Sequence, residues 1–182
     1  MGGFRIEGAE HIPKEGPVII APNHVSMVDP PLIALAVPRT VKIMAKNELF
    51  RVPVLGPLIA HLGAFPVHRG MPDRTALRRA IELLDQGWPV VIFPEGTRGD
   101  GKTLGPLEKG VLLIASKTGA PIVPTYISGT YHMLPRGAKK MRRSRVHVRF
   151  GPAIDPASFG KGDDLGQAIM SAIAALGGLP KD

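Results

Sequence analysis

Residues 17–31 have the sequence PVIIAPNHVSMVDPP, in which a short apolar run leads into a histidine, a carboxylate and two prolines. The run Pro17–Ala21 is rich in β-branched residues, which is typical of a buried strand. Asp29 followed by proline predicts a helix start, because aspartate caps free amides and proline suits the first turn. The segment therefore predicts a buried strand, a loop that carries His24, and a helix capped by Asp29.

His24 and Asp29 can act as a pair only if the chain bends between them. Five residues turn an α-helix by about 500°, so in a continuous helix the two side chains would be roughly 140° apart. A loop before the prolines would supply the bend. The carboxylate would then fix the imidazole tautomer and leave its other nitrogen free to act as a base. Because H-x4-D is a loose pattern, a surface loop in which the two side chains never meet is the alternative interpretation.

Three further segments combine an apolar run with polar or proline-rich ends. They are residues 63–70 (GAFPVHRG), 91–99 (VIFPEGTRG) and 121–124 (PIVP). Ligands of open α/β sheets bind beyond the carboxyl ends of the strands. The segments therefore predict one site, built from loops that follow neighbouring strands.

Predicted strands and helices alternate along the chain. The strands are expected at residues 4–7, 18–21, 41–45, 65–68, 89–93, 122–127 and 145–150. Helices are expected at 30–37, 72–86, 109–117 and 163–176, with a partly helical segment at 53–62 and a long loop at 94–108. This alternation predicts an α/β sandwich with a largely parallel central sheet flanked by helices. No repeat or linker is visible, so residues 1–182 are expected to form a single domain.

The composition excludes several classes of site. The chain has no cysteine, which rules out disulfides, thiolate metal ligands and a cysteine nucleophile. No grouping of His, Asp and Glu has the spacing of metal ligands, so no metal is expected. No window approaches the roughly 18 apolar residues of a spanning helix, and residues 1–15 lack the apolar core of a signal peptide. We therefore expect no transmembrane helix.

The net charge of +8 is concentrated in one part of the chain. Nine Lys or Arg and no acidic residue lie between Lys109 and Ile154. They are densest in residues 136–145, called here the basic segment, which contains Arg136, Lys139, Lys140, Arg142, Arg143 and Arg145. Such a cluster indicates an anionic partner: lipid headgroups, phosphates, an acidic carrier protein or nucleic acid.

In their order and spacing, the four segments resemble the PlsC-like glycerolipid acyltransferase family, which includes the 1-acyl-sn-glycerol-3-phosphate acyltransferases. The resemblance covers roughly residues 8–129. It implies transfer of a fatty acyl group from acyl-CoA or acyl carrier protein to the free hydroxyl of lysophosphatidate, giving phosphatidate, with no cofactor. His24 would be the general base, oriented by Asp29, and no acyl-enzyme would form. Ser26 is the one nearby nucleophile that could contradict direct transfer, but the Gly-x-Ser-x-Gly elbow is missing.

The same resemblance assigns roles in binding. Arg69 would bind the acceptor phosphate, and Lys46 is a second basic candidate. Four residues of the third segment would bind the glycerol backbone: Glu95, Gly96, Thr97 and Arg98. Glu95 would accept a hydrogen bond from the acceptor hydroxyl. Pro121 and Pro124 would belong to the acyl-donor region, where rigid turn geometry explains them equally well. For both arginines the alternative is an ordinary surface side chain or ion pair.

The basic segment, helped by apolar side chains of residues 49–62, is expected to lie on anionic headgroups. The protein would then be cytoplasmic and peripheral on the inner face of the cell membrane. One alternative is acylation of another lyso-lipid or hydroxyl-bearing lipid. Another is a non-catalytic module that binds anionic lipid or nucleic acid. Nucleic acid is not expected as a partner, because helix-turn-helix, zinc-finger and aromatic RNA-binding signatures are all missing.

Overall fold

A seven-stranded sheet forms the centre of the computed structural model, which describes residues 3–53, 55–61, 63–67, 74–135, 137–138, 140–160 and 162–179. The strands are β1 (Phe4–Glu7), β2 (Val18–Pro22), β3 (Lys42–Lys46), β4 (Ala64–Val67), β5 (Pro89–Val91), β6 (Ile122–Ser128) and β7 (Val146–Phe150). Their order across the sheet is β1-β7-β6-β2-β5-β3-β4.

The helices are α1 (Asp29–Ala36), α2 (Leu55–His61), α3 (Arg74–Asp85), α4 (Lys109–Thr118), α5 (Thr130–Met133) and α6 (Gly162–Gly177). Short 3-10 turns occur at Ala9–His11, Asn47–Arg51 and Pro156–Ser158. The predicted strands and helices are confirmed, with small differences at their ends. β5, for example, ends two residues earlier than expected. Residues 68, 72 and 73, which the sequence assigned to a strand and a helix, lie outside the described part of the chain.

The sheet is largely parallel, as predicted. β2 pairs in parallel with β5 and β6, and β3 pairs in parallel with β4 and β5. Only the pair β6 and β7 is antiparallel, and β1 then pairs in parallel with β7. The carboxyl ends of β2, β5 and β6 therefore lie along one edge of the sheet, called here the carboxyl edge.

Helices cover both faces of the sheet, and β2 shows why. All five of its residues are buried. Because side chains alternate along a strand, Ile19 and Ala21 pack in the cluster that contains α3, α4 and α6. Val18 and Ile20 pack on the opposite face with residues of α1. A strand that is apolar on both sides is stable only between two covered faces, which is why β2 lies in the middle of the sheet.

Candidate active site

His24 and Asp29 meet just beyond the end of β2. Nδ1 of His24 lies 2.9 Å from Oδ2 of Asp29, and the two residues are 5% and 0% exposed. A turn closes between them, in which the Asp29 amide donates to the Ser26 carbonyl at 3.3 Å. This turn supplies the bend that the i, i+5 spacing requires.

Asp29 does not cap α1 as the sequence predicted. It is the first residue of the helix, and the N-cap position is Val28. Its Oδ2 instead accepts hydrogen bonds from the backbone N–H groups of Val25 and Ser26, each at 2.7 Å. The expectation was wrong because the carboxylate turns back toward the preceding loop. Asp29 therefore shapes the loop that carries His24 as well as orienting the imidazole.

The ring of His24 packs against Phe93. Their centroids are 4.2 Å apart and the ring planes are inclined by 33°. Within the described part of the chain, Nε2 of His24 has no hydrogen-bond partner, so it is the nitrogen available to a substrate. Sequence reasoning missed Phe93, because a residue at the end of a predicted buried strand gives no sign of which ring it will touch.

Glu95 binds the main chain of His24. Its Oε1 accepts a hydrogen bond from the His24 amide at 2.8 Å, and its Oε2 accepts one from the Gly105 amide at 2.7 Å. Burial raises the pKa of Glu95 above its usual range, although these amides and the nearby His24 oppose the shift. The expected partner was an acceptor hydroxyl. In the structure both carboxylate oxygens are instead bonded to the protein's own backbone.

The other residues of the third segment continue the loop along the carboxyl edge. Gly96 has a φ of 63°, and a Cβ there would lie 2.7 Å from Cγ of Glu108, so the turn requires glycine. Thr97 is exposed and Arg98 is half-buried. The next residue, Gly99, donates its amide to the His24 carbonyl at 2.8 Å. Arg98 is thereby held close to the chain of His24, and no ion pair of its guanidinium occurs among the described residues.

Several predicted site residues cannot be placed. Arg69, the predicted phosphate ligand, lies outside the described residues, as do Arg136 and Lys139 of the basic segment. Lys46 is the last residue of β3, but its side chain is not described. The roles assigned to these residues remain predictions.

The two prolines of the fourth segment occupy different levels of the sheet. Pro124 is buried in β6 and paired in register with Ala21. Pro121 precedes β6, and its carbonyl accepts a hydrogen bond from Ile19 at the other end of β2. Ile19 lies three residues before the end of β2, which at a rise of about 3.3 Å per residue is about 10 Å from the carboxyl edge. The structure therefore does not bring Pro121 to His24.

The described part of the basic segment follows a turn that contacts the loop of His24. The Ser26 hydroxyl donates to the Leu134 carbonyl at 2.7 Å, and the Arg142 amide donates to the Met133 carbonyl at 2.8 Å. Met141 in this segment is 65% exposed. The described basic side chains are also exposed, namely Lys140, Arg142, Arg143 and Arg145. A basic and partly apolar surface thus borders the site.

Asn23, which sequence reasoning did not select, holds two strands together at the site. Its Nδ2 donates to the Ile127 carbonyl at 3.2 Å, and its Oδ1 accepts from the Ile127 amide at 2.7 Å. The residue is buried. The available signal was a polar amide directly after a strand that is apolar throughout, since a buried amide needs partners.

A cavity of about 240 Å³ lies between residues 103–107 and α6. None of the predicted site residues lines it. Among the described residues, no cluster of His, Asp and Glu could hold a metal ion. Within the same part of the chain, no helix combines the length and the apolar character needed to cross a membrane.

Comparisons with known proteins show a family match and several relatives of similar sequence. The family model described as Acyltransferase matches residues 3–128. A chloroplastic 1-acyl-sn-glycerol-3-phosphate acyltransferase of Brassica napus is 36% identical over 137 residues, which cover 74% of this chain and 40% of the relative. This chain thus spans about two fifths of that relative's length. An enzyme of the same name from Bacillus subtilis is 31% identical over 160 residues, covering 87% of this chain and 77% of the relative.

A solved structure shows the same architecture. The crystal structure of the 1-acyl-sn-glycerophosphate acyltransferase PlsC from Thermotoga maritima superposes with a TM-score of 0.85 at 33% identity. The match covers 97% of this chain and 72% of that one.

Proposed function

This chain belongs to the acyltransferase family, and from that membership we propose that it transfers a fatty acyl group from an acyl thioester to the free hydroxyl of lysophosphatidate, giving phosphatidate. The choice of acceptor is supported by plant and bacterial relatives that are named 1-acyl-sn-glycerol-3-phosphate acyltransferases. The observation that carries the proposal is the buried contact of 2.9 Å between His24 and Asp29 at the carboxyl edge.

The geometry supports a single-step transfer in which His24 acts as the base. Nε2 of His24 takes the proton of the acceptor hydroxyl while that oxygen attacks the thioester carbonyl. The new C–O bond forms, the C–S bond breaks, and the proton on Nε2 passes to the departing thiolate. Nδ1–H remains bonded to Asp29, whose negative charge stabilises the imidazolium that forms during the step.

Direct transfer without an acyl-enzyme is supported by the position of Ser26. Its hydroxyl donates to the Leu134 carbonyl and is fully buried, so it is turned away from the role of nucleophile. A nucleophilic serine needs a base within hydrogen-bond reach. Among the described residues the Ser26 hydroxyl is bonded to the Leu134 carbonyl, and no hydrogen bond joins it to the imidazole of His24.

For the acceptor phosphate we assign Arg69, with Lys46 and Arg98 as further cations, because fixed cations bind phosphate through charge-assisted hydrogen bonds. Arg98 is supported by its position one residue before Gly99, which binds the His24 carbonyl. Thr97, exposed on the same loop, contributes its hydroxyl to glycerol binding, and Gly96 lets the backbone approach. The acyl donor is acyl-CoA or acyl carrier protein.

Peripheral attachment to an anionic bilayer, at the cytoplasmic face of the cell membrane, completes the proposal. It is supported by the exposed basic side chains of residues 140–145 and by Met141 among them. Basic residues near a bilayer are attracted to anionic headgroups, and an apolar side chain adds burial. A lyso-lipid acceptor would then reach His24 from the membrane that holds the protein.

The direct test compares the wild type with His24→Ala on lysophosphatidate, using acyl-CoA and acyl carrier protein donors. Loss of a general base lowers kcat by about 10²–10⁴-fold. His11→Ala is the matched control, because His11 follows β1, which runs opposite to β2, and therefore lies at the other edge of the sheet. A folded His24→Ala variant that keeps full activity would refute the assignment of the base. A wild type that acylates only a different lyso-lipid would refute the acceptor.

A further inference from the structure

We propose that Glu95 is a positioning residue: its carboxylate holds the main chain of His24 against the loop of residues 94–108 and so keeps the imidazole in place, rather than binding the acceptor hydroxyl. This inference rests on the proposed function, since it concerns how the base of that reaction is held. It also gives the third segment a role different from the one that the resemblance implies.

The main chain of His24 is bound on both sides by this loop. Its amide donates to Oε1 of Glu95 at 2.8 Å. Its carbonyl accepts from the amide of Gly99, also at 2.8 Å. The side chain is bound separately by Asp29. A residue held at its amide, its carbonyl and its ring has little freedom to move, as a base that must meet a hydroxyl within hydrogen-bond distance requires.

The loop itself folds around the carboxylate. Oε2 of Glu95 accepts from the amide of Gly105, ten residues further along. A Cβ at Gly99 would lie 3.3 Å from Oε2, and one at Gly105 would lie 3.2 Å from it. Both distances are tighter than most contacts that real Cβ atoms make, so the two glycines leave room for the carboxylate. Glu95 thus connects the start and the end of the loop to His24.

Burial argues against substrate binding by Glu95. The residue is 3% exposed, and each of its oxygens already accepts a backbone hydrogen bond. Each oxygen could accept a further hydrogen bond, but at this burial a substrate hydroxyl could reach it only if the loop opened, which would take the Gly105 amide from its acceptor. An unpaired buried amide is costly, so the closed arrangement is favoured.

The first experiment compares Glu95→Gln with the matched control Glu108→Gln. Glu108 is an exposed glutamate at the end of the same loop. Glutamine has one acceptor oxygen and one NH₂ group, so one of the two amides would face a donor. We expect kcat of Glu95→Gln to fall about 10- to 100-fold with the acceptor KM nearly unchanged, because a small misplacement of the base slows the chemical step. The control should match the wild type.

A spectroscopic measurement separates this inference from the proposed function. In wild-type protein without substrate, the Nδ1 proton of His24 should give a downfield NMR resonance because it is bonded to Asp29. In Glu95→Gln this resonance should shift or broaden, and in Glu108→Gln it should not. If the proposed function is wrong, His24→Ala will retain activity. Failure of this inference would appear as an unchanged resonance and unchanged kcat in Glu95→Gln. A raised acceptor KM at constant kcat would also overturn it and assign Glu95 to the acceptor.

A wild-type titration keeps the inference testable if the variant does not fold. Burial raises the pKa of Glu95, whose titratable neighbours are His24, Asp29 and Tyr126. We expect the amide proton shifts of His24 and Gly105 to follow one midpoint above the usual range for glutamate. The Gly105 amide is the decisive reporter, because it donates directly to Glu95 and lies outside the chain segment of His24. If the Gly105 amide shift does not change with pH, or if its midpoint is not above the usual range for glutamate, the inference is overturned.

Discussion

At the residue scale, a single carboxylate oxygen holds the loop that carries His24. Oδ2 of Asp29 accepts from Nδ1 of His24 and from the amides of Val25 and Ser26. The two amides require an oxygen at this position, whichever side chain supplies it. The geometry of the loop and the charge on the carboxylate can therefore be separated experimentally.

Asp29→Asn is expected to keep the loop and lose the charge. Its amide oxygen can take the position of Oδ2, so the imidazole keeps its tautomer. Because a neutral acceptor stabilises the imidazolium less than a carboxylate does, kcat should fall about 10- to 100-fold. The three hydrogen bonds that Oδ2 accepts would also lose their charge assistance, so thermal stability should fall.

The rates of Asp29→Asn should be measured well below its unfolding temperature, which circular dichroism determines. The comparison with His24→Ala sets the scale, because both changes act on the same proton transfer. Full activity in a folded Asp29→Asn would show that the carboxylate charge does not contribute to the reaction.

At the scale of secondary-structure elements, the site depends on contacts between segments that follow different strands. Asn23 follows β2 and binds both backbone groups of Ile127 in β6. The loop after β5 binds both backbone groups of His24. These contacts hold the carboxyl ends of three adjacent strands at a fixed distance, on which the position of the imidazole depends.

Asn23→Ala tests the first of these contacts. The substitution leaves the buried amide and carbonyl of Ile127 without their side-chain partners, so the free energy of unfolding should fall by about 1–3 kcal/mol. Urea unfolding followed by circular dichroism measures the loss. Asn47→Ala, in the half-buried 3-10 turn after β3, is the control and should cost about 0.5 kcal/mol or less. Equal losses in the two variants would contradict the strand-linking role of Asn23.

At the scale of the whole molecule, positive charge is concentrated on the side that carries the site. The basic segment is tied to α5 through Arg142, and the residue after α5 is tied to the loop of His24 through Ser26. A surface that attracts anionic headgroups would therefore also place the base near the bilayer.

A charge-matched pair of variants tests this arrangement. Replacing Arg142, Arg143 and Arg145 with Gln should weaken binding to vesicles containing anionic lipid by about 100-fold at low salt, since each basic residue near the surface contributes about 1 kcal/mol. The control replaces the exposed Arg78, Arg79 and Lys117 on α3 and α4 with Gln, which removes the same charge elsewhere. Vesicle co-sedimentation across a salt series measures both. Equal weakening, or binding that ignores salt and lipid charge, would contradict a specific basic surface.

Much of the fold was predictable because local patterns determine it. Apolar runs such as β2 are stable only when covered on both sides, and helices such as α6 have a continuous apolar face. Alternation of the two predicts parallel pairing, and the structure confirms it. The role of Asp29 was less predictable, because an aspartate beside proline can cap a helix or turn back, and only the neighbouring amides decide which.

The sequence by itself determined the α/β architecture, the chemical groups available and the loops that carry them, because hydrophobic periodicity and residue type are local properties. Only the tertiary structure decided which groups meet. Phe93, Asn23 and Glu95 acquire their roles through contacts across 69, 104 and 71 positions of the chain, respectively. Such contacts depend on strand order and register, which place segments distant in sequence side by side at one edge of the sheet.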